Sequence, residues 1–266
     1  MVFSLVLLFI GFFFNSIQWV PLLKSQGIKI SYFHSVRTFG MAVFGKYIPG
    51  KVWVHLGKAA QISHVYGMPI TKVSEVSFFS QIITLWVGAL ASLILLISLD
   101  QYDIVFWSFL CFFILTGLVI STKGMQKIGS LIIKRLLKKN FVFSSLNPAH
   151  FLKVLPLYFF TILSYSLGFL FFIKALGVSD LGYQAMFVFP AAMTIGVVAI
   201  IVPGGLGVRE AVISTFLVSL AVPAEIAGTI AVASRLWFLF GEVFVFLLGF
   251  SFQRIWKHNR YPKQEV

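Results

Sequence analysis

Acidic residues are scarce in this chain: 8 Asp and Glu stand against 21 Lys and Arg among 266 residues, a formal net charge of +13. Charged residues of both signs make up only 11%. A soluble domain carries about 25%, so most of this surface is not built to meet water. So few carboxylates also leave little for acid–base chemistry. Glu75, Asp100, Asp103 and Glu210 are available, none sits in a convincing cluster, and Asp100 with Asp103 resembles a DxD pair only loosely. Neither a phosphate-binding P-loop nor a nucleophile elbow is present. His34, His55, His64, His150 and His258 show no metal-ligand spacing, and no metal or other cofactor is expected. These absences lean away from an enzyme. Cys111 is the only cysteine, which rules out an intramolecular disulfide. Inside an apolar run it is expected to be a buried packing thiol.

What the chain has in abundance is apolar sequence, 59% hydrophobic with a mean hydropathy of +0.97. A bilayer core takes roughly 20 apolar residues to cross as helix. Full spans are expected at Met1–Val20, Val73–Ser98, Ile104–Ser121, Val154–Leu176 and Ala224–Phe252. The first run has no basic residue before it and no small-residue cleavage site, so it reads as a retained helix. Too few loop residues remain for a separate soluble domain, which argues against nucleic acid as a partner. The expectation is an all-α, polytopic membrane helix bundle forming a single domain over residues 1–266. It divides into a first unit (1–98), a connecting helix and basic loop (99–150) and a second unit (151–266).

The basic residues are not evenly spread. Lys24, Lys29, Arg37, Lys46, Lys51, Lys58 and Lys72 form one group, and Lys123, Lys127, Lys134, Arg135, Lys138, Lys139 and Lys153 a second. Arg254, Lys257, Arg260 and Lys263 form a third, whereas the connections near Asp100–Asp103 and Gly177–Gly182 carry no Lys or Arg. The positive-inside rule puts the basic groups in the cytoplasm and the acidic connections outside. The chain is thus expected to be multi-pass in the cytoplasmic (inner or plasma) membrane, with its N-terminus out and C-terminus in. The charge reads either as topology alone or as attraction of anionic lipid head groups. In Gly129–Asn140 the basic residues fall on one helical face and Leu131, Ile132, Leu136 and Leu137 on the other. This suits a helix on the cytoplasmic leaflet or a positive-inside anchor.

Two regions are left over, and each is broken at a Pro-Gly step. Phe33–Tyr66 contains Pro49-Gly50 and has basic flanks on both sides, so it should enter and leave from the cytoplasm. Tyr183–Val222 contains Pro203-Gly204-Gly205 and should enter and leave from outside, although two short spans are an alternative. Both read as re-entrant helical hairpins. With the span Ile104–Ser121 supplying the inversion, the two units make an inverted-topology repeat, a plan common among transporters. Broken backbone at membrane depth is tolerated only where protein or a water-filled cavity surrounds it, so the breaks are the first place to look for a substrate site.

The candidate substrate-binding residues follow from that reading. Lys46, Tyr47, Pro49, Gly50 and Lys51 surround the first break, accompanied by Lys58 and Trp53; an interfacial anchor and a phosphate-binding basic mouth are both open. Pro203, Gly204, Gly205, Gly207, Arg209 and Glu210 form the second. Glycines let backbone approach a ligand, free N–H groups at a helix start favour an anion, and Arg209 adds a bidentate grip on phosphate. The alternative is an Arg-Glu pair that pins the hairpin to its neighbours. Arg235 lies about 16 Å along the last helix from Ala224, and Glu242 follows seven residues later on nearly the same face. Charges at that depth are costly and call for partners. Glu210 is the expected partner of Arg235, and a hairpin Lys that of Glu242. The stripes Ser77, Gln81, Thr84, Gly88, Ser92 and Thr161, Ser164 or Tyr165, Gly168 mark helix–helix contact or a polar cavity wall.

Lys46-Tyr47-Ile48-Pro49-Gly50-Lys51-Val52-Trp53 together with Pro203-Gly204-Gly205-Leu206-Gly207-Val208-Arg209-Glu210-Ala211 resembles the membrane region of the lysylphosphatidylglycerol synthase/flippase family. The resemblance covers nearly the whole chain, and the second motif is the more specific. It implies a flippase-like membrane protein handling an anionic phospholipid or a polyprenyl- or glycan-linked lipid. Its expected partners are membrane lipids with an anionic head group, and a separate synthase or glycan-assembly protein. The soluble aminoacyl-transferring domain of two-part members is not in this sequence, so lysyl transfer is not expected of it. Rival readings are a membrane-embedded transferase of lipid-linked sugar and a scaffold for a separate lipid-modifying synthase.

Overall fold

With so little charge and so many apolar residues, the backbone has to satisfy its own hydrogen bonds, and helix does this within one segment. The structure, a computed structural model, describes residues 1–48, 52–121, 148–199 and 202–260. Among these residues there are helices and no strand. In chain order they are α1 (Val2–Ile17), α2 (Val20–Ser25), α3 (Tyr32–Ala42), α4 (Trp53–Tyr66) and α5 (Ile70–Ser98). Then come α6 (Ile104–Ser121), α7 (Pro148–Ala175), α8 (Val188–Val198), α9 (Val208–Ser219) and α10 (Ala224–Arg260). Short 3-10 turns at Val43–Tyr47, Tyr183–Phe187 and Pro203–Gly205 punctuate them.

Five helical stretches are long and apolar enough to cross a membrane: Val2–Ser25, Ile70–Ser98, Ile104–Ser121, Phe151–Ala175 and Ala224–Arg254. Each expected span falls on one of them, so the protein is an all-α, multi-pass membrane bundle. The first runs further than its hydropathy promised, because α2 restarts with Pro21 in its first turn, where the missing N–H costs nothing. The amphipathic stretch Gly129–Asn140 and the residues Pro49, Gly50 and Lys51 lie outside the described residues.

The other helices come in two short pairs. α3 and α4 have 11 and 14 residues, and α8 and α9 have 11 and 12. At 1.5 Å per residue these are about 16–21 Å long, short of the roughly 30 Å hydrocarbon core. Ser31 starts α3 by accepting a hydrogen bond from the His34 N–H at 3.2 Å. Gly67 ends α4 in the left-handed conformation, at φ 65°.

The packing repeats itself when the halves of the chain are exchanged. α1 packs on α7. α3 packs on α10 as α8 packs on α5, α4 on α5 as α9 on α10, and α3 on α4 as α8 on α9. α1 also touches α10 and α3, as α7 touches α5 and α8. Polar links tie the central helices together: the Trp237 indole N–H donates to Ser4 Oγ at 2.8 Å, and that hydroxyl donates to the Gly168 carbonyl at 2.7 Å. Around them Phe12, Tyr165, Phe189 and Phe238 meet ring on ring, with centroids 4.8–6.4 Å apart.

α6 stands apart, packed mainly on α5, with only 17% of its span buried. This corrects the expectation for Cys111, which is exposed. α6 is apolar on every side, so hydropathy could not tell its contact face from the face it turns outward. The polar stripe on α5 divides in the same way. Gly88 is a contact position, where a Cβ would come 2.3 Å from Thr194 Oγ1 of α8. Ser77, Gln81 and Thr84 instead line a cavity.

Candidate functional site

Charge at the centre of the bundle is arranged around the two turns. The 3-10 turn after α3 meets the Pro203–Gly205 turn, and the Tyr47 ring covers Gly204 so closely that a Cβ there would sit 2.9 Å from it. Gly204, Gly205 and Gly207 have φ of 60°, 69° and 78°, the left-handed region that side-chain-bearing residues avoid. That run of glycines turns the chain from α8 into α9 while keeping the tip thin enough for Tyr47.

The costly charges find partners, one pair across the halves and one within the second. Glu242 on α10 is fully buried; Lys46 Nζ donates to its Oε1, and Tyr47 Oη donates to its Oε2 at 2.9 Å. Arg235, two turns earlier on the same helix, donates from its guanidinium to Glu210 Oε1 at the start of α9. The two ions lie side by side in sequence on α9, yet only Glu210 is paired. Arg209 is 8% exposed, its Nε has no hydrogen-bond partner, and among the described residues its guanidinium forms no ion pair. Its stem lies along two glycines: a Cβ on Gly196 would come 2.5 Å from Cγ, and one on Gly205 3.1 Å from Cδ. The guanidinium carbon rests 4.8 Å from the Phe238 ring centroid, as does Lys46 Nζ.

Lys46, Gly204, Arg209 and Phe238 line a cavity of about 190 Å³ shared by both halves. α1, α5 and α7 supply a polar wall in which several members pair with one another. Gln18 Nε2 donates to Thr84 Oγ1 at 3.2 Å, Thr161 Oγ1 donates to Gln18 Oε1 at 2.9 Å, and Asn15 Nδ2 donates to Tyr165 Oη at 3.3 Å. His55 Nδ1 and Ser77 Oγ share a hydrogen bond of 2.9 Å. Lys58 on α4 is different. It lines the cavity, is 5% exposed, and forms no hydrogen bond or ion pair among the described residues. Its Nζ sits 4.3 Å from the Trp19 ring centroid.

Of the sequence candidates, the structure gathers Lys46, Tyr47, Pro203, Gly204, Gly205, Gly207, Arg209, Glu210, Arg235 and Glu242 around the two turns. The sequence places Lys58 beside the first break, outside the expected substrate-binding set. A signal was there: His55, Lys58, Ala59 and Ile62 share the buried face of α4, at helical spacing. Asp103 Oδ1 accepts from the N–H groups of Val105 and Phe106 at 3.0 and 3.3 Å, which makes it the cap of α6, and Glu210 is held by Arg235.

The chain matches the family described as the lysylphosphatidylglycerol synthase TM region over residues 1–249. It belongs to that family. No curated protein and no solved structure matches it. Membership of the lysylphosphatidylglycerol synthase transmembrane family and the five apolar spans together make it an integral membrane protein related to lipids. Both Pro-Gly breaks lie inside the matched stretch, as do Lys58, Arg209 and Glu242.

Proposed function

We propose that this protein is a flippase-like transporter of the cytoplasmic membrane that moves an anionic phospholipid or a polyprenyl- or glycan-linked lipid. The observation that carries the reading is the joint cavity: a broken helix pair from each half meets there, around basic side chains buried in an apolar bundle. A transporter needs such a site reachable alternately from either face, and two halves that can rock against each other supply it. The short helices support re-entrant hairpins, and the packing that repeats on exchange of the halves supports an inverted-topology repeat. The hairpins enter from opposite faces, with the N-terminus out and the C-terminus in. The lipid's acyl or prenyl chains stay in the bilayer while its head group crosses.

Lipid movement in proteoliposomes tests the function. Arg209→Ala is expected to lower the rate roughly tenfold or more, the worth of a charge-assisted hydrogen bond. Glu210→Ala should do less, because the Glu210–Arg235 pair is partly exposed. Flux equal to wild type in Arg209→Ala would remove that residue from the site. Orientation is tested separately, in a Cys111→Ser background. Cysteine at exposed Ser179 is expected to react with an impermeant maleimide in intact cells, and cysteine at exposed His64 only after permeabilisation. The reverse order would invert the topology.

A further inference from the structure

We infer that the cavity binds a phosphate-bearing head group of net negative charge, clamped by one cation from each half of the chain, Lys58 and Arg209. This deepens the transport reading and rests on it for the lipid nature of the ligand.

Gln18, Thr84, Thr161, Asn15 and Tyr165 on the α1–α5–α7 wall have protein partners. So do Lys46 and Arg235, each against a carboxylate. Lys58 and Arg209 do not, although they are 5% and 8% exposed. An isolated buried cation is among the most expensive things a protein can keep, and a chain free to lose it would carry Met or Leu there. No carboxylate lines the cavity to offset them. Aromatic rings lie under both cations, Trp19 beneath Lys58 and Phe189 and Phe238 beneath Arg209. They hold the stems while the polar heads stay available. The missing counter-charge is therefore an anion brought from outside. Phosphate matches the donors: a planar guanidinium fork with a point-charge ammonium. Size agrees, since about 190 Å³ is below the roughly 300–1,000 Å³ of pockets that engulf whole ligands. It is sized for a head group. A head group carrying its own cation meets two further cations and no acid to receive it.

The two cations come from corresponding helix pairs, Lys58 from α4 and Arg209 from α9. A phosphate between them is shared by the halves, so the site is complete only while both are engaged.

Calorimetric binding to the purified full chain in detergent tests this, with dioctanoyl phosphatidic acid, dioctanoyl phosphatidylcholine and inorganic phosphate as probes. The phosphatidic acid is expected to bind wild type and to weaken by at least about tenfold in both Lys58→Met and Arg209→Met. Phosphatidylcholine should bind far more weakly. Both variants should melt at or above the wild-type temperature, since each removes a buried charge with no hydrogen-bonded counter-ion. Inorganic phosphate binding as tightly as phosphatidic acid supports the phosphate clamp and assigns it to a free anion. Equal binding of the two lipids, binding indifferent to both substitutions, or a large fall in melting temperature on removing either cation would overturn it. The transport reading fails separately: binding intact with no lipid flux sinks that reading alone, and flux intact with no phosphatidic acid binding sinks only this one.

Discussion

Replacing Glu242 by Gln is expected to cost the folded protein about 3–5 kcal/mol, the usual penalty for stranding one member of a buried ion pair. Glu242 is fully buried, and the Lys46 side chain is 25% exposed. Removing the carboxylate charge leaves an ammonium against the Phe238 ring with no counter-ion. It also weakens the acceptor that holds Tyr47 over Gly204, so both turns lose their anchor on α10. For a chain of this size that energy corresponds to a fall of roughly 6–20 °C in melting temperature. The double substitution Lys46→Met with Glu242→Leu should recover most of the loss, because apolar groups of similar volume replace a buried pair at little cost. Thermal unfolding in detergent, followed for the single and double variants, reads both. A single variant as stable as wild type would mean that the pair does not hold the turn. The Arg235–Glu210 pair, with side chains 25% and 19% exposed, should be worth less when broken.

Gly40→Ala is expected to be the second most damaging change, from a single methyl group. Gly40 on α3 and Gly249 on α10 face each other where those helices cross. A Cβ on Gly40 would lie 2.3 Å from the Val245 carbonyl oxygen and 3.0 Å from Gly249 Cα. Both are backbone atoms, so no side chain can swing aside and the helices must separate. Overpacking of this kind costs about 1–3 kcal/mol. The separation also reaches the site, because Lys46 follows α3 and Glu242 precedes Gly249 on α10. Melting temperature and lipid binding should therefore fall together. Gly228→Ala on the same helix is the control: nothing lies within 4 Å of the added carbon, and it should leave stability unchanged or raise it. Equal behaviour of the two variants would show that the α3–α10 crossing tolerates spreading.

Hydropathy was enough for the spans, because their physics is one-dimensional. A run such as Ile104–Ser121 must be helix in lipid wherever it packs. The broken segments were legible for the same reason, since Pro-Gly inside apolar sequence has few tolerable places. Charges at depth demanded partners, and Arg235 with Glu210 and Glu242 with Lys46 are two pairs found among the described residues.

Where the chain alone was silent, the missing information was about faces and neighbours. Cys111 lies outward because α6 has no polar side to orient it, and the sequence put Lys58 near the first break without showing that α4 turns it inward. By itself the sequence determined that this is a membrane bundle of helices with a charged break in each half, because transfer into lipid is a local property of each segment. Only the tertiary structure decided which cations were neutralised and which were left facing the cavity. Pairing of charges depends on which helices become neighbours, and that is set by the close approach of residues far apart in the chain.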